Sequence, residues 1–140
     1  MYPTKKEILE TKPEIPSLVI DYILAWKKTH LKQWKRYGNM EKISALKQLI
    51  TLTNVVTMYL GINKRKVRVK SDIVYKYNSL TKTIYQNAEN PSIISALHEL
   101  AHHLYGEDEL TACRWSVWIF MECFPGLYKK LSWKNHLLIK

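Results

Sequence analysis

The chain has 140 residues, 46% of them hydrophobic, with two cysteines and a formal net charge of +10. That composition excludes intrinsic disorder and a disulfide-stapled scaffold, and the length suits one domain with a core of its own. The N-terminal Met1-Tyr2-Pro3-Thr4-Lys5-Lys6-Glu7 has no apolar stretch such as a secretion signal needs. The longest apolar run, Trp115 to Phe124, falls far short of the roughly 20 residues of a membrane span. Cys113 and Cys123 lie ten apart on one predicted helix and cannot bridge. Together these features predict a cytoplasmic protein with no membrane partner.

In chain order, residues 1–16 carry Pro3, Pro13 and Pro16 and read as an irregular arm with a short helix around Lys5 to Glu10. From Ser17 to Tyr37, Leu18, Ile20, Ile23, Leu24, Leu31 and Trp34 recur near a helical period. Gly38 stands where a helix end favours a left-handed residue, and Asn39 offers an N-cap. The second helix should bury Ile43, Leu46, Leu49, Ile50, Val56, Tyr59 and Leu60 and end at Gly61. The connection is so short that the two helices must be packed neighbours. Between Tyr22 and Ser71 stand twelve lysines and arginines against the single Glu41, so the basicity is regional. Such a segment suits weak nucleic-acid binding through residues 27–70, or a solvated lysine-rich face.

Residues 62–88 turn β-branched and aromatic: Val67-Arg68-Val69, Ile73 to Tyr77, and Thr83 to Gln86, with Asn78-Ser79-Leu80-Thr81 as a hairpin turn. A helix should follow from Asn90-Pro91-Ser92 to Tyr105 and stop at Gly106. Asp108 is placed to cap a further helix from Glu109 to Cys123, and Pro125-Gly126 breaks the chain again before a basic, aromatic tail. The expected fold is α+β, mostly helical and zincin-like, with a small antiparallel sheet before the helix that carries His98. It forms a single domain over 1–140. Residues 1–61 supply the arm and basic helical hairpin, and 62–140 the β-hairpin and active-site helices.

His98-Glu99-Leu100-Ala101-His102 is an HExxH motif on that helix. Four residues make about one turn, so both imidazoles project from one face and can ligate one Zn²⁺. Glu99 is rotated about 100° from His98, beside such a metal, where a carboxylate can take a proton from activated water. Ile93, Ile94, Leu97, Leu100, Ala101 and Leu104 should bury the rest of the helix. A catalytic zinc needs a third protein ligand. The metzincin pattern is excluded, because Tyr105 and Asp108 occupy the positions of its glycine and third histidine. The candidates are Glu109 first, then Glu107 or Asp108, and more distantly Glu122 or His136. If Glu109 opens its helix, the small Ala112 and Ser116 share its face and allow a close approach to the motif helix, whereas Glu107 and Asp108 face outward. His103 should miss the metal, and His30 reads as structural. Arg114 should pair with a nearby acid. Tyr105, Tyr85 and Tyr128 are candidates for oxyanion stabilisation. Cys113 has no arrangement around it that would make it a nucleophile.

The run His98-Glu-Leu-Ala-His102, then Glu109-Leu-Thr-Ala112-Cys-Arg-Trp115-Ser116-Val117-Trp-Ile119-Phe120-Met121, resembles the ImmA/IrrE-type metallopeptidases, with HELxH and a downstream Glu-x-x-Ala-x-x-Phe-Ala-Ala-x-Leu-Leu-Met. The strand Ile84-Tyr-Gln-Asn87 also resembles the one before that family's active-site helix. The resemblance covers about residues 66–124. It implies zinc as cofactor, His98, His102 and Glu109 as ligands, Glu99 as general base, and a DNA-binding regulator as protein substrate. This chain departs from the pattern at Cys113, where asparagine is usual, at Glu122, where proline is usual, and in the short gap before Glu109. Residues 17–60 lie outside the resemblance.

Two functions of different class follow. One is a zinc-dependent gluzincin peptidase. The other is a nucleic-acid-associated binding protein whose zinc is structural or vestigial. A structural site would have four protein ligands and no use for Glu99. An enzyme acting on proteins bound to DNA, of SprT type, would join the two, but would take a later histidine as third ligand.

Overall fold

A computed structural model describes residues 2–134 and 137–139. Helix α1 (Lys5–Glu10) is fixed at its start by a reciprocal cap: the Glu7 amide donates to Thr4 Oγ1 at 3.2 Å, and the Thr4 amide to Glu7 Oε1 at 3.0 Å. The arm is docked, not loose. Ile8 is fully buried against Cys113 and Val117. The Arg114 guanidinium donates to the Glu7 carbonyl at 2.8 and 3.1 Å, and the Trp118 indole to the Ile8 carbonyl at 3.1 Å. Arg114 thus serves a helix-end carbonyl, and its charge also helps to lower the nearby Glu7 and Asp108 carboxyls, in line with the acid expected beside it.

Helix α2 (Ser17–His30) tightens into a 3-10 turn over Leu31–Arg36, and α3 runs Asn39–Tyr59. Gly38 is extended, not left-handed, and is itself the N-cap of α3; the Glu41 carboxylate reaches back to its amide at 3.2 Å. Val19, Ile23 and Trp26 of α2 and Leu46, Leu49 and Ile50 of α3 belong to one core, and the Trp26 indole donates to the Ala45 carbonyl at 2.8 Å. His30 is structural as expected, bonded to Tyr37 and Gln48 at 3.0 Å each. Past Ile50 the buried face changes. Thr53, Asn54 and Thr57 are buried while Tyr59 is 82% exposed. Asn54 explains the shift: its amide donates to the Arg65 carbonyl at 2.9 Å, tying α3 to the loop beyond Gly61. Gly61 itself has φ +76 and ends the helix as its sequence position implies.

The three-stranded sheet has the order β1 (Arg68–Asp72), β3 (Thr83–Asn87), β2 (Lys76–Asn78). The hairpin β2–β3 is antiparallel as expected, with Tyr77 opposite Ile84. Strand β1 pairs with β3 in parallel, with Val69 opposite Ile84, so the sheet is mixed where an antiparallel one was expected. The buried Thr83, Ile84 and Gln86 make β3 the central strand. The chain reaches it from the far edge, β2, and returns in the direction of β1. One edge of the sheet, β2, is left beside the helices that follow.

Those helices are α4 (Ile93–Tyr105), capped by Ser92, and α5 (Glu109–Cys123), capped by Asp108, whose carboxylate accepts from the Thr111 amide at 3.0 Å. Gly106, at φ +97, makes the turn between them. A short α6 (Pro125–Lys129) begins at the expected break, and β4 (Ser132–Lys134) pairs antiparallel with β5 (Leu137–Ile139). Leu97, Leu100, Ala101, Trp115, Ile119 and Phe124 join the α2–α3 residues and Ile84 in one core. Among the described residues no helix is long and apolar enough to cross a membrane.

Candidate metal centre

One turn of α4 separates His98 from His102, and their Nε2 atoms lie 3.2 Å apart. Helix α5 brings the third group. The Gly106 turn reverses the chain, Asp108 caps the new helix, and Glu109 is its first residue. Ala112 and Ser116, both 1% exposed, let α5 lie close against α4. The Glu109 carboxylate then spans both histidines, with Oε1 at 2.7 Å from His102 Nε2 and Oε2 at 3.3 Å from His98 Nε2. The three donor groups lie within 4.8 Å of one another. Two imidazole nitrogens and one carboxylate so placed could hold a metal ion.

The tautomer of His102 suits a ligand. Its Nδ1 lies 2.9 Å from the Gly106 carbonyl, which can only accept, so Nδ1 carries a hydrogen and Nε2 is the atom left facing Glu109 and His98. The turn that positions Glu109 therefore also orients His102. On the other side, Cys113 Sγ stands 3.9 Å from His98 Nδ1. Burial, then the nearby Glu109, Asp108 and Glu99 carboxylates, push the Cys113 thiol up to about 12. It stays a thiol at neutral pH, which agrees with the absence of a nucleophilic role.

Glu99 is 9% exposed. Burial pushes its carboxyl up to about 7, against the lowering influence of His102 and with a further push from Glu109. A carboxyl poised near neutral pH suits proton transfer in either direction. A cleft of about 780 Å³ opens beside it, bounded by the β2 edge and by faces of α4 and α5. His98, Glu99, His102, Glu109 and Cys113 all line that cleft.

Of the other ligand candidates, Glu107 lines the cleft, contrary to its expected outward direction, but does not join the donor group. Asp108 is occupied as a cap, and its carboxyl is held low chiefly by the Thr111 side chain and amide. Glu122 lies towards the other end of α5, 3.8 Å from Lys12. His136 lies outside the described residues. His103 misses the group as expected: it donates from Nε2 to the Arg65 carbonyl at 3.0 Å and meets the Tyr77 hydroxyl at 2.7 Å through Nδ1. Burial holds its pKa down.

The tyrosines differ from expectation. Tyr105 packs on Trp115, Tyr85 lies under the Lys76 ammonium, and Tyr128 bonds to the Trp133 indole; none lines the cleft. Tyr75 and Tyr77, which flank Lys76 on the β2 side, line it instead. The Tyr75 hydroxyl accepts from the Ser92 amide at 2.8 Å, linking the sheet edge to the start of α4. Their two-residue spacing at the cleft edge of the hairpin was the available signal. No protein-family model, curated protein or solved structure matches this chain.

Proposed function

We propose that this chain is a zinc-dependent peptidase in which His98, His102 and Glu109 hold the metal and Glu99 is the general base. The convergence of those three donor groups at the wall of a cleft, with Glu99 in the same wall, carries this reading. The ImmA/IrrE resemblance over residues 66–124 supports it, and suggests a DNA-binding regulator as the protein substrate.

A zinc ion there would supply a Lewis acid and acidify water towards neutral pH. The chain's own groups do the rest. His102, fixed by Gly106, and Glu109, fixed by the start of α5, hold the metal's position. Glu99 takes the proton as water oxygen adds to the peptide carbonyl carbon. It returns that proton to the amide nitrogen as the C–N bond breaks. The β2 edge leaves backbone and the side chains of Tyr75 and Tyr77 beside the cleft, suited to an extended peptide. Three donors among the described residues, beside an open cleft, favour this reading over a structural zinc with four protein ligands.

The basic segment supports a second element of function. None of its twelve lysines and arginines lines the cleft, and Lys27, Lys28 and Lys32 instead flank a shallow depression floored by Leu24 and Leu31. We attribute to it weak, sequence-independent nucleic-acid binding that would hold the enzyme near DNA-bound substrates. Two free cysteines fit a reducing, cytoplasmic setting.

The test is metal analysis combined with hydrolysis of a denatured-protein substrate. Wild type should bind about one zinc per chain and cut; His98→Ala with His102→Ala should do neither. Stoichiometric zinc in that double variant would refute the site. Zinc binding with no hydrolysis across a broad substrate panel would favour the binding-protein alternative.

A further inference from the structure

We propose that the N-terminal arm is part of the substrate cleft, and that Tyr2 selects aromatic side chains in the peptide bound beside the metal centre. The inference rests on the peptidase reading above. Tyr2 lines the same cleft as His98, Glu99 and Glu109, although it lies far from the motif helices in sequence. It is 64% exposed, so its ring does not serve to fill the core. The arm that carries it is held firmly. Thr4 caps α1 two residues on, Ile8 packs against Cys113 and Val117 of α5, and Arg114 and Trp118 donate to the carbonyls of Glu7 and Ile8. Cys113 and Val117 also line the cleft, so the surface on which the arm docks continues into the cleft wall.

The chemistry of the lining indicates the occupant. From the β2 side, Tyr75 and Tyr77 line the cleft too. Their hydroxyls are committed to the fold, that of Tyr75 to the Ser92 amide at 2.8 Å and that of Tyr77 to His103 Nδ1 at 2.7 Å. What they offer a ligand is ring surface. Beyond Glu99 and the metal donors, the charged side chains of the lining are Lys76 and Glu107, and Lys76 is paired with Asp72 at 3.1 Å. Rings favour other rings, through offset or edge contacts that add to the burial of apolar area. A peptide side chain with an aromatic ring therefore matches this lining better than a small or charged one. The motif helices bring the reacting groups, and the arm, together with the β2 tyrosines, sets which side chain lies beside them.

The experiment measures, by calorimetry on the zinc-loaded full chain, the binding of the N-acetyl hydroxamates of phenylalanine, alanine and lysine. A hydroxamate grips zinc whatever its side chain, so differences among the probes report the lining. Wild type should bind the phenylalanine probe about tenfold more tightly than the alanine probe. Tyr2→Ala should cut that preference to about twofold, with zinc stoichiometry and melting temperature unchanged. Tyr2→Phe, which keeps the ring, should retain the full preference. Equal binding of the phenylalanine and alanine probes by wild type, or an undiminished preference in Tyr2→Ala, would overturn the proposal. Tightest binding of the lysine probe would also overturn it, assigning the choice of side chain to Glu107. Any of these results in protein that holds zinc leaves the metal site standing, and since no hydrolysis is involved, a lack of peptidase activity is read separately. If wild type binds no zinc, the metal-site reading fails first and this inference with it.

Discussion

Two helix pairs, each joined by a short connection, use their polar groups in opposite ways. In α2–α3 the polar atoms are spent on holding the fold. The Trp26 indole caps the Ala45 carbonyl, His30 bridges Tyr37 and Gln48, and Asn54 ties down the Arg65 carbonyl. In α4–α5 the polar groups converge on one another. His98, His102 and Glu109 meet at a cleft wall, and the buried Glu99 carries a carboxyl raised to about 7. Such an arrangement costs stability in the metal-free chain, because Glu99 is desolvated beside a second carboxylate, Glu109. The lesson is that a functional site can be recognised by polar groups that a stability argument alone would not place together.

The strongest way to sharpen this contrast is to change one atom in the site. Glu99→Gln should keep zinc and lower the hydrolysis rate by about 10²–10⁴-fold, since an amide cannot accept the proton. Trp26→Ala should do the reverse. It should cost about 3–5 kcal/mol of stability by cavity formation and loss of the indole bond, measured by urea unfolding. The zinc stoichiometry of its folded fraction should be unchanged.

A smaller effect concerns pH. In metal-free protein Glu99 has a raised folded pKa, about 7 against 4.5, so the folded state holds a proton that the unfolded state releases. Its destabilising contribution is absent below about pH 4.5, grows as pH rises to about 7, and is constant above, at roughly 3 kcal/mol. Glu99→Gln should remove it. Metal-free Glu99→Gln should therefore be more stable than metal-free wild type at pH 8, with the difference shrinking towards pH 4.5. Equal stabilities at pH 8 would mean that Glu99 is not held in a desolvated site. The smallest expected effect lies in α2–α3. Converting Lys28, Lys32 and Lys35 to glutamate should leave peptide hydrolysis unchanged and abolish weak DNA binding at about 50 mM salt. If wild type does not bind DNA under those conditions, the lysines are solvated surface.

The same contrast decides how much of the molecule was legible in sequence. The site is written in local signals: one-turn spacing of His98 and His102, the Gly106 stop, the Asp108 cap, and small Ala112 and Ser116 on the face of Glu109. Each acts within a turn or two, so the sequence pattern reaches the geometry. What was not legible depends on distant partners. Asn54 is buried because of a carbonyl in a loop eleven residues later. Strand β1 pairs in parallel with β3, fifteen residues further along the chain. Arg114 and Trp118 reach back more than a hundred residues to α1. Tyr75 gains its place from the Ser92 amide, which no spacing along the strand reveals.

The central claim is that one metal is held by two turns of α4 and the first residue of α5, while Glu99 stands beside it as base. Anomalous scattering at the zinc edge from a crystal of the zinc-loaded protein tests this most directly. The account predicts one strong peak per chain, contacted by His98, His102 and Glu109, with Glu99 outside bonding distance and the cleft side open. No peak at that position, a fourth protein ligand closing the site, or Glu107 in place of Glu109 would contradict it.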